Sequence, residues 1–421
     1  ISTLDHLFWI TENDDKWDST YIQTANIDAF STSGWDSDSV FSPIGNNSTK
    51  FTGSYDGDGY TINGLTIDRE STNYIGLFGY TDGATIQDLG VTNVNITGKY
   101  YVGALVGINK GSTISNCYST GSLTGTARYV GGLVGWVENT STVSNCYSTV
   151  TVTGTHSNVG DYVGGLAGLV RDNSTVSNCY STGSVTGADT YVGGLAGLVI
   201  DNSTVSNCYS TGSVTGTATG SIFVGGLAGE VRDTSTVSNC YSTGSVTGAG
   251  NYVGGLAGEV ENTSTVSNCY STGSVTGDGN HVGGLAGLVR TTSTVSNSYS
   301  TGTVTGDNFV GGLGGYLYNS TVSVINCYST GSVTGNGSDV GGLVGRLRYD
   351  PTVSNSFWDT QTSGQGSSAD GTGKTTAEMK TASTFYDADW DFEEDGNGND
   401  DGTNGGASGN GTNNYWDMDQ D

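Results

Sequence analysis

The sequence predicts an all-β fold, a parallel β-helix (β-solenoid) with about three short strands in each rung of 29 residues, capped at the N-terminus. Three observations predict it. The phrase Y-V-G-G-L-A-G-L-V-R-D-N-S-T-V-S-N-C-Y-S-T-G-S-V-T-G, running from Tyr162 to Gly187, recurs nine times at a nearly constant period. A fixed internal period means one unit stacked on copies of itself. Each unit holds three extended pieces rich in Val, Thr, Tyr and Ser, bounded by Gly, Asn or Asp, and Pro occurs only at Pro43 and Pro351. Such pieces favour strands, and the Gly-Gly pairs would cripple a helix. Equivalent positions also keep their residue type from unit to unit, as in-register parallel stacking ~4.8 Å apart requires.

Stacking turns each repeat position into a column. Leu105, Leu133, Leu166, Leu195, Leu227, Leu256, Leu285, Leu313 and Leu343 form one that never changes, which marks the inward face. Two residues on is Gly and four on is mostly Val, the parity of a strand with one buried side. The column after that Val (Lys110, Glu138, Arg171, Ile200, Arg232, Glu261, Arg290, Tyr318, Arg348) mixes signs and reads as a solvated ladder of weak ion pairs. By the same parity, Ile108, Trp136, Leu169 and Leu198, continued by Glu230, Glu259, Leu288, Tyr316 and Arg346, should face outward. An exposed apolar row is expected to be a contact surface for another subunit or for the chain's own tail.

Asn precedes the Cys slot in every rung: Asn116, Asn145, Asn178, Asn207, Asn239, Asn268, Asn297, Asn326 and Asn355. Asn tolerates left-handed backbone, and its amide can donate and accept along the stack, so a corner ladder is expected. The following Tyr column, Tyr118 through Tyr328 and then Phe357, reads as an aromatic ladder. The slot itself holds seven Cys, with Ser298 and Ser356 in the remaining rungs. This is expected to be a column of small buried side chains. Disulfides between adjacent rungs are the alternative, and their parallel Cβ vectors fit that geometry poorly. No Cys-x-x-Cys spacing points to zinc.

The charge is −28 from 41 acidic and 13 basic residues, which argues against nucleic acid or anionic lipid as partners. No apolar run is long enough to span a membrane. The chain opens at Ile1 rather than Met, consistent with a secreted mature form whose targeting segment has been cut away. Ten Asn-x-Ser/Thr sequons occur, five at one repeat position: Asn139, Asn173, Asn202, Asn262 and Asn319. They read as a turn rich in Asn and Ser, or as a line of glycans along one corner.

Three regions follow: residues 1–100 as an irregular cap with Trp9, Trp17 and Trp35, residues 101–358 as the nine-rung solenoid, and residues 359–421 as a closing segment with an acidic Gly/Asn-rich tail. The only segment with helical character is Thr376 to Thr381. In the tail, Asp395, Asn397, Asn399 and Asp401 alternate like the first oxygen ligands of a calcium loop, so calcium is the one cofactor expected. Asp400 stands where such loops want Gly, and Gly406 where they want a ligating Glu.

The phrases G-G-L-A-G and G-G-L-V-G followed by N-C-Y-S-T-G-x-V-T-G resemble the GLUG repeat of secreted bacterial and archaeal surface proteins, among them adhesins, cell-wall-anchored proteins and parts of IgA-specific metallopeptidases. S-P-I-G-N at Ser42 to Asn46 looks like the family's opening segment, and F-W-D-T-Q-T-S-G like its closing one. The resemblance implies an extracellular scaffold. Peptidase chemistry would need H-E-x-x-H, and the only histidines are His6, His156 and His281, each isolated. The expectation is therefore a non-enzymatic structural or adhesive protein of the cell surface, self-associating or bound to another surface protein or glycan, in a fibre or filament. From rung spacing it would be a rod on the order of 50–60 Å long. A carbohydrate-binding or carbohydrate-active β-helix is the alternative. Ice or mineral binding through Thr columns such as Thr186, Thr215, Thr247 and Thr276 is a third.

Overall fold

The computed structural model describes residues 1–34, 41–155, 160–188, 190–388 and 390. The chain winds as a parallel β-solenoid of about 10 turns. Among the described residues the strands fall into three stacked sheets of 31, 10 and 9 members. In a representative rung they are Tyr162–Gly164, Ala167–Val170, Thr175–Ser177, Tyr180–Ser181 and Val185–Gly187. Each pairs in parallel with its own copy: Val163 with Val192, Val170 with Val199, Val176 with Val205, Tyr180 with Tyr209 and Thr186 with Thr215. Like stands on like, as the repeat predicts.

The Leu column is the spine of the interior. Leu166 N donates to Leu195 O at 2.9 Å, Leu195 N donates to Leu227 O at 2.8 Å, and every Leu of the column is buried. Burying one such side chain stabilises by roughly 1.5–3 kcal/mol, and each rung repeats it. Facing columns of Val176, Val185 and Cys179 types complete a hydrophobic core. Gly165 is required by close approach: a Cβ there would run into the Gly194 carbonyl and the Ser181 side chain. A buried Ser column opens the second piece, Ser141 N donating to Ser174 Oγ and Ser174 N to Ser203 Oγ, both at 3.2 Å.

Both described ends of the stack are covered. The closing helix is present as Thr376–Met379, with a capping box between Thr375 and Glu378, and is followed by Ala382–Tyr386. Met379, Phe385 and Trp390 pack on Phe357, while Trp390 Nε1 donates to Asn355 O at 2.8 Å and so terminates the Asn corner. At the other end the sequence expectation of a single helical segment is corrected. Leu4–Glu12 is a helix, N-capped by Thr3, with Leu7 and Ile10 buried. Trp17 Nε1 donates to Ile10 O at 2.8 Å, and Trp17 is buried as a cap residue should be. Trp9 is exposed, and Trp35 lies outside the described residues.

Candidate functional site: outer columns and a buried carboxylate pair

Asn116, Asn145, Asn178, Asn207, Asn239, Asn268, Asn297, Asn326 and Asn355 all adopt left-handed backbone with φ between 48° and 54°. Most of them turn the chain from one strand into the next, while Asn297 and Asn326 lie within the continuous strands Thr294–Ser300 and Ser323–Ser329. Side-chain rungs of the ladder run from Asn268 Nδ2 to Asn239 Oδ1 and from Asn326 Nδ2 to Asn297 Oδ1, each at 3.2 Å. The Cys residues behind them are free and buried. Cys146 N donates to Cys179 Sγ at 3.4 Å, and Cys179 Sγ donates to Ser177 O at 3.1 Å. Each thiol is thereby built into the backbone network. Burial pushes the Cys327 thiol up to about 12.

The five repeated sequons sit on a second left-handed corner, with Asn139, Asn173, Asn202 and Asn262 at φ between 55° and 60° and Asn319 at 106°. The first four are exposed and Asn319 is half-buried. Asn202 Nδ2 donates to Asn173 Oδ1 at 2.7 Å, and Asn262 Nδ2 to Asp233 Oδ1 at 2.6 Å. A glycan on either donor nitrogen would displace that bond.

One expectation fails. Ile108, Leu169 and Leu198 are buried, and Trp136 is half-buried. Parity turned them out of the core, but a second aromatic column, Tyr101, Tyr129, Tyr162, Tyr191, Phe223, Tyr252 and His281, folds over that side. Its rings stack at 4.8–5.1 Å. Trp136 packs 4.7 Å from Tyr129 and 5.2 Å from Tyr101. No open apolar row exists at these positions.

Under the same cover lies the densest charge chemistry. Glu230 and Glu259 are register partners on adjacent rungs, with 1% and 0% exposure. Arg232 Nη1 lies 3.4 Å from Glu230 Oε1; Arg290 Nε pairs with Glu259 Oε1, and its Nη2 lies 2.7 Å from Glu261 Oε2. The mixed-sign column is thus more than a solvated ladder, because two of its arginines reach buried acids. Oε2 of Glu230 and Oε2 of Glu259 have no hydrogen-bond partner among the described residues. Burial first, and then the neighbouring Glu259, raises Glu230 to about 9. Burial raises Glu259 to about 7 against the pull of Arg290. Two carboxylates held side by side share a proton more readily than they both ionise.

A cleft beside the first rungs is lined by Asp56, Asp58, Gly59, Asp88, Asn116 and Tyr118. Its acids are tied internally: Asp56 Oδ1 accepts from Asp58 N, Asp56 Oδ2 from Gln87 Nε2 and Asp88 Oδ1 from Asn116 Nδ2, at 2.8–3.0 Å. Among the described residues, no three His, Cys, Asp or Glu side chains are grouped to hold a metal ion. The expected calcium ligands Asp395, Asn397, Asn399 and Asp401 lie outside those residues, as does His156. No described helix is long and apolar enough to cross a membrane.

Short rungs of this period, with an inward Leu in every rung and an Asn corner before the Cys slot, make up the parallel β-solenoid. The family described as the GLUG motif matches seven times, at residues 98–124, 126–153, 160–186, 188–215, 217–247, 249–276 and 278–305. The chain is 39% identical over 134 residues to halomucin of Haloquadratum walsbyi, covering 30% of this chain and 2% of halomucin. It is 51% identical over 59 residues to a protein of Evansella cellulosilytica named "Putative Gly-rich membrane protein", covering 13% of this chain and 7% of that one. The chain thus spans a small fraction of the curated relatives it matches. Among solved structures, a protein from Bacteroides ovatus described as a "putative immunoglobulin A1 protease" aligns over 90% of this chain and 85% of its own, at 17% identity and a TM-score of 0.35.

Proposed function

We propose that this protein is a non-enzymatic extracellular rod, a structural or adhesive element of the cell surface and a building unit of a fibre. The observation that carries the reading is the continuity of the ladders. The same corner, core and outer columns repeat without a break, so the molecule is organised for length and stiffness. Its clustered ionisable groups, Glu230, Glu259, Arg232 and Arg290, are largely occupied with one another under an aromatic cover. The Evansella relative, named as a membrane protein, is consistent with a surface location. Helices lie at both described ends, and the sides of the rod are the surface taken here for association in a fibre.

The alternative, carbohydrate binding along the Tyr column, is weakened by the rings themselves. Tyr147, Tyr180, Tyr209, Tyr241 and Tyr270 stack 4.7–4.8 Å apart within 2° of parallel, so their faces are spent on each other. Stacking on a sugar uses the face of a ring, and these present their edges. Immunogold electron microscopy of intact source cells tests the proposal. Labelled extended structures at the cell exterior are expected; purely internal label, or turnover of a polysaccharide in a reducing-end assay, contradicts it.

A further inference from the structure

The face formed by Tyr180, Thr182, Ser184 and Thr186 and their copies has a chemistry unlike the rest of the molecule. Along Tyr118–Gly125 and its equivalents, ending at Tyr328–Gly335, the outward positions alternate with buried ones, except at Gly121 in the first stretch and Gly335 in the last. In all eight rungs each of the four outward residues is Tyr, Thr or Ser. Every one carries a hydroxyl. No charged residue occurs in any of the eight stretches, in a chain with 54 charged residues and a net charge of −28. One group of arginines and acids sits on the corner after the second strand of the rung, at Arg171, Asp172, Asp201, Arg232 and Asp233, and others border the face without entering it, at Asp278, Asp307 and the Arg128–Asp161 pair. The face is also flat: neighbouring Tyr rings from Tyr118 to Tyr328 deviate from parallel by only 2–8°. Sheets ordinarily twist by roughly 20–25° per strand, and flat ones are typically held by stacking or by side-chain ladders.

We propose that this hydroxyl face is where a second copy of the same chain docks, sheet against sheet. Two arguments select that occupant. Copies this acidic repel one another over most of their surface, and here they can approach without facing like charges. The footprint is also sufficient: eight rungs ~4.8 Å apart by about seven residue steps of ~3.3 Å gives on the order of 800 Å² a side. That is about what one partner contributes to a stable specific interface. Regular hydroxyl columns also present the same pattern to their own copy, as an isologous contact requires. The inference rests on the rod reading above and names the partner for its lateral growth.

Sedimentation velocity of the full chain tests it, at 1–100 μM and from 0.05 to 2 M NaCl. Dimers are expected, and salt should strengthen them because it screens the repulsion. Thr211→Glu with Thr272→Glu, both exposed, should weaken association at least 100-fold with an unchanged circular dichroism spectrum and melting curve. Thr204→Glu with Thr265→Glu, on the neighbouring strand of the same rungs, should leave it intact. A monomer under all conditions, or dimers indifferent to the first pair, overturns the proposal. A monomer that nonetheless decorates the cell exterior overturns only the docking face, whereas dimers of a protein absent from the exterior overturn only the rod reading.

Discussion

Glu230 and Glu259 stand directly across from one another on adjacent rungs, each shut away from solvent and each held by one arginine. Their ionisation is raised in the fold, from an ordinary value near 4.5 to about 9 and about 7 respectively. The folded state therefore favours the protonated form. Its contribution is complete below about pH 4.5 and is lost as pH rises through 7 towards 9. Burial holds His281 down at about 4, below its ordinary 6.5, so its effect runs the other way: stability gains from it as pH rises to about 6.5 and no further, and the carboxylate effect is read above that value. Thermal melts at pH 7 and 8, above the His281 range and below that of unfolded thiols, should show stability falling. Glu230→Gln should flatten the slope and be more stable than wild type at pH 9, on the order of 2 kcal/mol.

The Leu column predicts a uniform cost along the rod. Leu195→Ala removes a buried side chain from an interior that cannot collapse around the gap, and should destabilise by roughly 2–5 kcal/mol. Because each rung contacts only its neighbours, hydrogen exchange should quicken in the flanking rungs first.

Asn207 holds φ at 53°. Asn207→Ala should cost about 1–2 kcal/mol, because a Cβ without a local hydrogen bond disfavours that conformation. Asn207→Gly, for which left-handed backbone carries no steric penalty, should cost less than Asn207→Ala in a chemical denaturation series.

These three positions also show what the sequence made legible. In-register stacking repeats a side chain once per rung, so an invariant Leu had to be interior, and an invariant Asn before the Cys slot had to be a corner. Stacking says nothing of what a neighbouring strand lays over an outward column. Ile108, Leu169 and Leu198 were therefore expected in solvent and lie under the second aromatic column. The Glu230–Glu259 pair left a trace: two acids interrupting an apolar column, each with an Arg close by in the next column, signal buried pairing. The Leu4–Glu12 helix also had its marks, with Leu4, Leu7 and Ile10 at helical spacing behind Thr3. A chain dominated by a strand repeat drew attention away from them.

The Cys slot predicts inertness. Cys208 is buried with its Sγ donating to Ser206 O at 3.1 Å, and Ser298 makes the equivalent bond to Ser296 O at 2.7 Å. Cys208→Ser should change stability by less than about 1.5 kcal/mol. A thiol reagent should find almost no reactive groups in the native protein and seven after unfolding.

The most direct measurement uses that inertness. Thr175 and Thr204 are register partners on the outer surface, and Thr236 lies one rung beyond. Cysteines placed at Thr175 and Thr204 and spin-labelled in the native protein should show strong dipolar broadening, as expected for backbones ~4.8 Å apart. A Thr175 and Thr236 pair should show clearly less, and single labels none. A spectrum for the adjacent pair that equals the sum of its singles would mean that like does not stack on like.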